Sequence, residues 1–410
     1  MKRDKLWLLC LWGWLVWLAA CAPTTSKSEP IVVARPEQSQ WPDEMMWVRP
    51  DGPAGELAAY NMANGQIAFT LLPGRLAADQ ETYFAASLQA ETTQVSQFNP
   101  ENGQMLGSFG LNGRWLLAGL SPNGDWLAFV RENKTGEADS WQTEMAVVAG
   151  EDGRVVHTMQ LDGHFEVDAL SNDGTGLFLI QYVPPDQPEQ YVVRFYDLRL
   201  ETLQAEPVRD KRTTDEVMTG YAWGTVADGR GEWWHTLYVS TQRNKAFIHA
   251  LNLQDSLFAL CIDLPSGEGD FAKLQQYALA LSPDGQTIYA TNPALGIVAE
   301  VNLETFGVAR KVTFEAVVQG VSGSGPASVL SADGSQLFFT NGYQVWAYDT
   351  VAKTVSTPYL TEAATPVQGL GVSGDGSRLA VALAERPLQL FDVASGAALD
   401  FAGSEVVARP

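Results

Sequence analysis

LSPNGDWLAF from Leu120, LSNDGTGLFL from Leu170, LSPDGQTIYA from Leu281, LSADGSQLFF from Leu330 and VSGDGSRLAV from Val372 are copies of one pattern, and that pattern decides the fold. In each copy a short apolar strand ends in Ser, any residue, Asp or Asn, then Gly, and a second strand follows. Asp and Asn side chains hydrogen-bond nearby backbone and Gly accepts a positive φ, so these four residues specify a tight turn. The strand after the turn, TIYAT or RLAVAL, is apolar enough to be covered on both faces. Two degenerate copies, LAADQETYFA from Leu76 and VADGRGEWWHTLYV from Val226, complete the series. Its turn residues are Asp79, Asn123, Asp173, Asp228, Asp284, Asp333 and Asp375, spaced by 44, 50, 55, 56, 49 and 42 residues.

A second motif falls between these turns. It is a half-apolar strand, usually ending in an aromatic residue plus Asp or Asn, then a tight turn and another strand. AAYNMANGQIAF from Ala58, VSQFNPENGQML from Val95, WAYDTVAKTV from Trp346 and LQLFDVASGAAL from Leu390 are examples, and further copies centre on Gly150, Asp197, Asn252 and Asn302. Eight outer hairpins thus accompany seven inner turns, and the unmatched hairpin is the first, preceded by a strand at Met45-Met46-Trp47-Val48. Units of 40–55 residues with four strands each predict an all-β chain folded as a single β-propeller. Eight blades over residues 41–410 are expected, with seven as the alternative if residues 41–74 pack irregularly. A lone blade cannot bury both of its faces, whereas a ring buries each against a neighbour. The first blade lacks an inner turn. VVARP occurs at both Val32–Pro36 and Val406–Pro410, so either segment is a candidate for its missing inner strand.

The Asp-Gly turns resemble the YVTN and TolB-type (WD-like) propeller repeats across about 370 residues of this chain. NMANGQIAF and NPENGQML are similar to the quinoprotein-type repeat, but its core Thr and closing Trp are missing here. Such repeats imply an architecture and leave the activity open.

The N-terminus reads as an export signal. Met1 to Lys5 is net positive, and Leu6 to Ala20 is an apolar run of 15 residues, shorter than the roughly 20 a membrane-spanning helix needs. Leu18-Ala19-Ala20-Cys21 resembles the lipobox of bacterial lipoproteins. That resemblance implies cleavage before Cys21, a diacylglycerol on its thiol, and a cell-envelope protein facing the periplasm or the exterior. Residues 1–20 are then the signal peptide and residues 21–40 the lipidated cysteine with a flexible tether, small and polar from Ala22 to Pro30. The lipid anchor is the only expected membrane contact.

Charge narrows the partners. The chain carries 26 basic and 48 acidic residues, and without residues 1–20 its balance is about −24. Such a chain repels phosphate backbones, so nucleic acid is not an expected partner. After processing, only the lipidated Cys21 and Cys261 remain, which excludes an intramolecular disulfide, and Cys261 reads as a small buried hydrophobe. The four histidines, His157, His164, His235 and His249, share no metal-ligand spacing and read as structural. No nucleophile-elbow, zinc-protease or phosphate-loop motif occurs. No cofactor is expected. Calcium is the one metal considered, at the acidic loop holding Asp263, Glu268 and Asp270. Trp233-Trp234 reads as blade packing in preference to a sugar platform.

Loop lengths point to a face. With strands A to D running outward in each blade, the A–B and C–D turns share one face and are mostly tight. The long segments are Arg131 to Trp141 and Val183 to Gln190 (B–C), and Val208 to Gly220, Pro265 to Gln276 and Gln319 to Gly325 (D–A). All five belong to the other face, where loops on a rigid scaffold usually carry function. The candidate binding residues there are Arg131, Trp141, Arg209, Lys211, Arg212, Asp215, Glu216, Asp270 and Lys273; no catalytic set stands out. The expected function is a monomeric, membrane-held binding or assembly scaffold for a protein, peptide or glycan. Lipoprotein propellers that scaffold outer-membrane protein assembly are the family precedent. The alternative is a propeller enzyme, either a lactonase-like hydrolase or a quinoprotein-like oxidoreductase. A lactonase wants a histidine among its charged groups, and a quinoprotein wants a larger chain with adjacent cysteines.

Overall fold

The computed structural model describes residues 45–399 except 49–55, 63, 132–140, 211, 213–216, 255–257, 268–269, 318–326, 357, 359–364, 384–385 and 387. These residues form eight sheets, one per expected blade, antiparallel but for one added strand. Inner strands are Gly74–Leu76, Trp115–Leu120, Phe165–Leu170, Tyr221–Ala227, Ala278–Leu281, Ala327–Leu330 and Val367–Val372 in blades 2 to 8. Blade 1 shows three strands, Met45–Val48, Leu57–Asn61 and Ile67–Leu71. Both VVARP segments lie outside the described residues, as do the proposed signal peptide and tether.

The turn chemistry is as the repeat demands. In four blades the serine hydroxyl donates to the aspartate at 2.6 Å: Ser171 to Asp173, Ser282 to Asp284, Ser331 to Asp333 and Ser373 to Asp375. The same carboxylate oxygen then accepts a backbone N–H two residues on, as from Ser335 at 3.0 Å, while the Ser331 hydroxyl accepts the Gln336 N–H at 2.9 Å. Gly334 closes the turn at φ 73°, in the region that favours glycine. These bonds hold the Asp375 carboxyl down to about 2, with the Ser373 hydroxyl the largest cause.

Packing follows the two-residue period of a strand. In the second strand of blade 4, Leu177 and Leu179 face blade 3, whereas Phe178 and Ile180 face blade 5. The result is one apolar cluster for each pair of neighbouring blades. The eighth cluster joins the ends of the ring: Met46, Val48, Ala58, Tyr60 and Met62 of blade 1 pack on Ala380, Ala382, Leu388 and Leu390 of blade 8. Contact there is close enough that a Cβ on Gly371 would sit 2.9 Å from the Met46 side chain. Eight interfaces for eight blades make a closed ring.

Blades 4 and 5 depart from the pattern. Arg209–Asp210 adds a fifth, parallel strand outside Phe258–Asp263 of blade 5, and Met218–Thr219 pairs with Gln190–Asp197 of blade 4. The only helix among the described residues, Phe271–Leu274, is short, and none is long and apolar enough to cross a membrane.

Candidate functional site

The inner strands enclose an axial channel of about 1120 Å³, lined from blade 2 round to blade 7. Most inner strands carry no charge: WLLAGL, ALAL, ASVL and VQGLGV are apolar, small or amide. Blade 2 contributes Arg75, and the one acidic inner strand is FEVDAL in blade 4, which places Glu166 and Asp168 on the channel wall. Asp168 sits at a β-bulge, since the pairing passes from Val167 with Leu179 directly to Ala169 with Phe178. Bulges re-aim a side chain. Comparable irregularities fall at Ala118, Trp223 and Gln368 in other inner strands.

Asp168 is set deep in the molecule although channel solvent reaches part of it. Its Oδ2 is buried and has no hydrogen-bond partner among the described residues. Burial pushes its carboxyl up to about 7. Around it stand three phenols. Tyr191 and Tyr238 stack with ring centroids 5.2 Å apart, and Tyr182 donates its hydroxyl to Glu166 Oε2 at 2.8 Å. All three phenols titrate above their ordinary value, burial being the main cause.

Towards the loop face the site continues as an aromatic stack. Trp141 lies on His164 (4.5 Å, 9°), which tilts against Tyr182 (4.7 Å, 47°) and is fixed through Nδ1 to the Pro185 carbonyl at 2.9 Å. The Val183–Gln190 loop is tied to blade 5: Glu189 accepts the backbone N–H of Thr241 at 2.9 Å and the Thr241 hydroxyl, and its carbonyl accepts the Gly220 N–H at 3.0 Å. Large apolar side chains remain exposed on the same blades: Leu116, Val183, Val217, Tyr221 and Trp223. Monomeric proteins leave such groupings uncovered mainly where something binds.

The expected binding residues separate on this frame. Trp141 belongs to the stack. Arg131 pairs with Glu144 at 2.7 Å and covers the Trp115 ring at 5.3 Å. Arg209 lies in the added strand of blade 5. Arg212 is a structural latch: its Nη2 donates to Asp210 Oδ2 at 2.8 Å and to the Cys261 carbonyl at 2.8 Å, while the Cys261 N–H donates to the same carboxylate. Burial works against the Asp210 charge, but these bonds hold its carboxyl below the usual range. Asp270 caps the short helix through the Lys273 N–H at 3.0 Å. Lys211, Asp215 and Glu216 lie outside the described residues, as does Glu268 of the acidic loop. Asp263 of that loop pairs with Lys245 at 2.8 Å.

The histidines are placed in structure, but not all are satisfied. His249 is buried with both ring nitrogens unpartnered among the described residues, and burial holds its pKa down to about 4. His235 is similar, at about 4 with burial the first cause, and it stacks on Trp233. Trp233 also packs on Phe258 and Phe306, as blade packing requires. Burial pushes the Cys261 thiol up to about 12, so it is no thiolate nucleophile. Among the described residues no three His, Cys, Asp or Glu side chains are grouped to hold a metal.

The fold makes this chain an eight-bladed β-propeller. Solved structures of similar fold exist. Dihydro-heme d1 dehydrogenase NirN in complex with DHE aligns at TM-score 0.53 and 10% identity, over 90% of this chain and 74% of that one. Hydrazine synthase of Kuenenia stuttgartiensis aligns at 0.43 and 11% identity, over 78% and 94%. A functionally unknown protein of Desulfotomaculum acetoxidans DSM 771 aligns at 0.42 and 12%, over 77% and 94%. At such identities the likeness is one of fold. No protein-family model matches the sequence, and no curated protein does.

Proposed function

We propose that this chain is a binding propeller of the bacterial cell envelope, lipid-anchored at Cys21, which presents the loop face of blades 3 to 5 to a protein, peptide or glycan partner. The observation that carries the reading is the mouth of the channel. Tyr221 lines it, Leu116, Val183, Val217 and Trp223 stay exposed on the same blades 3 to 5, and these blades also carry the Trp141–His164–Tyr182 stack and the Val183–Gln190 loop tied down by Glu189. A rigid ring with an adapted rim suits recognition, because little freedom is lost when a partner docks. The charged residues of the same face, from Arg209 to Lys273, would set register and on-rate more than affinity.

An enzyme is the second reading, and one observation favours it: a carboxyl raised by burial to about 7 on a cavity wall is poised for proton transfer. No histidine or activated nucleophile accompanies it among the channel-lining residues, so binding is preferred.

Two measurements test the proposal. Cys21→Ser should lose the lipid mass and leave the membrane pellet; unchanged mass and pelleting would remove the anchor from the reading. Trp223→Glu should fold normally and lose the partner found by crosslinking in membranes, whereas Val351→Glu, on an exposed C–D turn of the opposite face, should keep it. The reverse pattern would mean that the partner docks on the other face.

A further inference from the structure

The geometry points to a more specific ligand chemistry: we propose that the channel wall at blade 4 binds an organic ammonium group, held by Asp168 and Glu166 beside Tyr182. This rests on the reading of the blade 3 to 5 mouth as the binding face, and it deepens that reading by naming the class of group received.

Charge comes first. The channel-lining residues include the acids Asp79, Glu166, Asp168 and Asp228, and Arg75 of blade 2 is the one basic side chain among them. Asp228 is already neutralised by Arg230 at 2.5 Å. The wall at blade 4 therefore lies in a negative field, in a chain of net charge −22, and a cleft of one sign concentrates the opposite ion. A buried carboxylate oxygen without a donor is unfavourable unless a proton or a cation accompanies it. Asp168 Oδ2 is such an atom, and no other side chain in the described structure supplies it a hydrogen; having no accessible surface itself, it leaves the other carboxylate oxygen to meet a group entering the channel.

The surroundings decide between cations. A calcium ion takes 6–8 oxygen ligands, several of them carboxylate. Two carboxylates on one strand fall short, and among the described residues no third joins them. An ammonium group needs less: one carboxylate for its N–H groups and aromatic faces for its charge and its carbon substituents. Tyr182 lines this part of the channel, with Tyr191 and Tyr238 stacked and buried behind the wall and Val167 and Ile180 offering apolar surface. The cavity, at about 1120 Å³, is ample for such a group and for the body that carries it.

Binding is then linked to protons. The titratable groups facing Asp168 are Glu166 on its own strand, Tyr182 and Tyr191 on the next two strands of blade 4, and Tyr238 on blade 5. The phenols stay neutral throughout the physiological range, so an arriving ammonium displaces the proton that burial favours on Asp168.

The test is a titration of the full chain with benzylammonium, followed by tryptophan and tyrosine fluorescence. Saturable binding is expected, with affinity rising about tenfold per pH unit up to about pH 7 and levelling above it. Asp168→Asn should weaken binding about tenfold or more and flatten that dependence, while Asp168→Glu, which keeps the charge, should retain both. A peptide with one unblocked lysine, competing better than benzylammonium, would identify a partner's side chain as the source; a free amine competing better would identify a small molecule. Equal binding of benzyl alcohol, equal affinity in Asp168→Asn, preferential saturation by calcium, or no saturation by benzylammonium would each overturn the proposal. Partner capture by the Trp223→Glu variant is read independently, so loss of the ammonium site leaves the loop-face reading to stand or fall by itself.

Discussion

Asparagine at position 168 should make the protein more stable in mild alkali and less stable in acid, a change of sign that few substitutions produce. In the folded chain burial lifts the Asp168 carboxyl from its ordinary 3.8 to about 7. A group whose folded pKa is raised stabilises the fold fully below its unfolded value and loses that contribution as pH rises through the folded value. At 1.36 kcal/mol per pH unit the loss between about pH 4 and about pH 7 reaches about 4 kcal/mol as a ceiling. Channel water that still reaches part of the side chain lowers this. Asparagine cannot ionise, but it brings an amide whose unpaired groups cost about 1–3 kcal/mol at any pH. The variant should therefore lie about 1–3 kcal/mol below the wild type near pH 4 and about 1–2 kcal/mol above it near pH 8. Urea unfolding across that range measures the difference directly, and contributions from other titrating groups cancel in it. A difference that stays constant with pH would show that Asp168 ionises as an ordinary surface carboxylate, and the cavity-wall argument would lose its charge.

Three further expectations concern the scaffold. The His249 pKa is lowered to about 4 by burial, so its contribution is present above the unfolded value of about 6.5 and is lost as pH falls towards 4; His249→Phe should flatten the acid limb of the melting profile, and an unchanged limb would count against a buried neutral imidazole. Ser331→Ala removes both bonds of a turn serine and should cost about 1–3 kcal/mol in chemical denaturation, whereas a loss within error would make the repeated Ser-Asp contact incidental. Blade 1 shows no strand inside Met45–Val48 among the described residues, and we propose that the segment ending at Pro410 supplies it. Deleting Ser404 to Pro410 should then lower the melting temperature by roughly 4 °C or more, and an unchanged melting curve would dispose of that closure.

The ring was legible because its signal is repeated. Seven turns, five of them with the Ser, any residue, Asp or Asn, Gly chemistry, and hairpins between them at a regular interval leave little choice of architecture once each strand must be covered on both sides. The inner carboxylates were harder to read. In FEVDAL, Glu166 and Asp168 alternate with apolar residues as any half-exposed strand would have them. Only the ring shows that the exposed side of an inner strand is a channel. A usable signal did exist, since the equivalent segments WLLAGL, ALAL, ASVL and VQGLGV are uncharged. Arg212 illustrates the opposite failure. In sequence it belongs to a basic loop, yet its guanidinium is committed to the buried Asp210, a pairing two residues apart that depends on where Cys261 lies. The His249 case is similar: a histidine within a strand reads as structural, but its missing partners appear only when neighbouring blades are in place.

The path of the chain between blades 4 and 5 limits how this protein can change over evolutionary time. A repeat ring normally grows, shrinks or recombines by whole blades, each a self-contained cassette. Here Val208 bridges to Val193 in blade 4, the next two residues complete the outer edge of blade 5, and the chain then returns to pair with blade 4 at Met218–Thr219 before starting blade 5 proper. A cut or an insertion within this excursion would remove a strand from two blades at once. Blades 4 and 5, which also frame Asp168, must therefore be inherited, duplicated or lost as a pair, and a viable circular permutant should open at the tight turns of blades 6 to 8 instead.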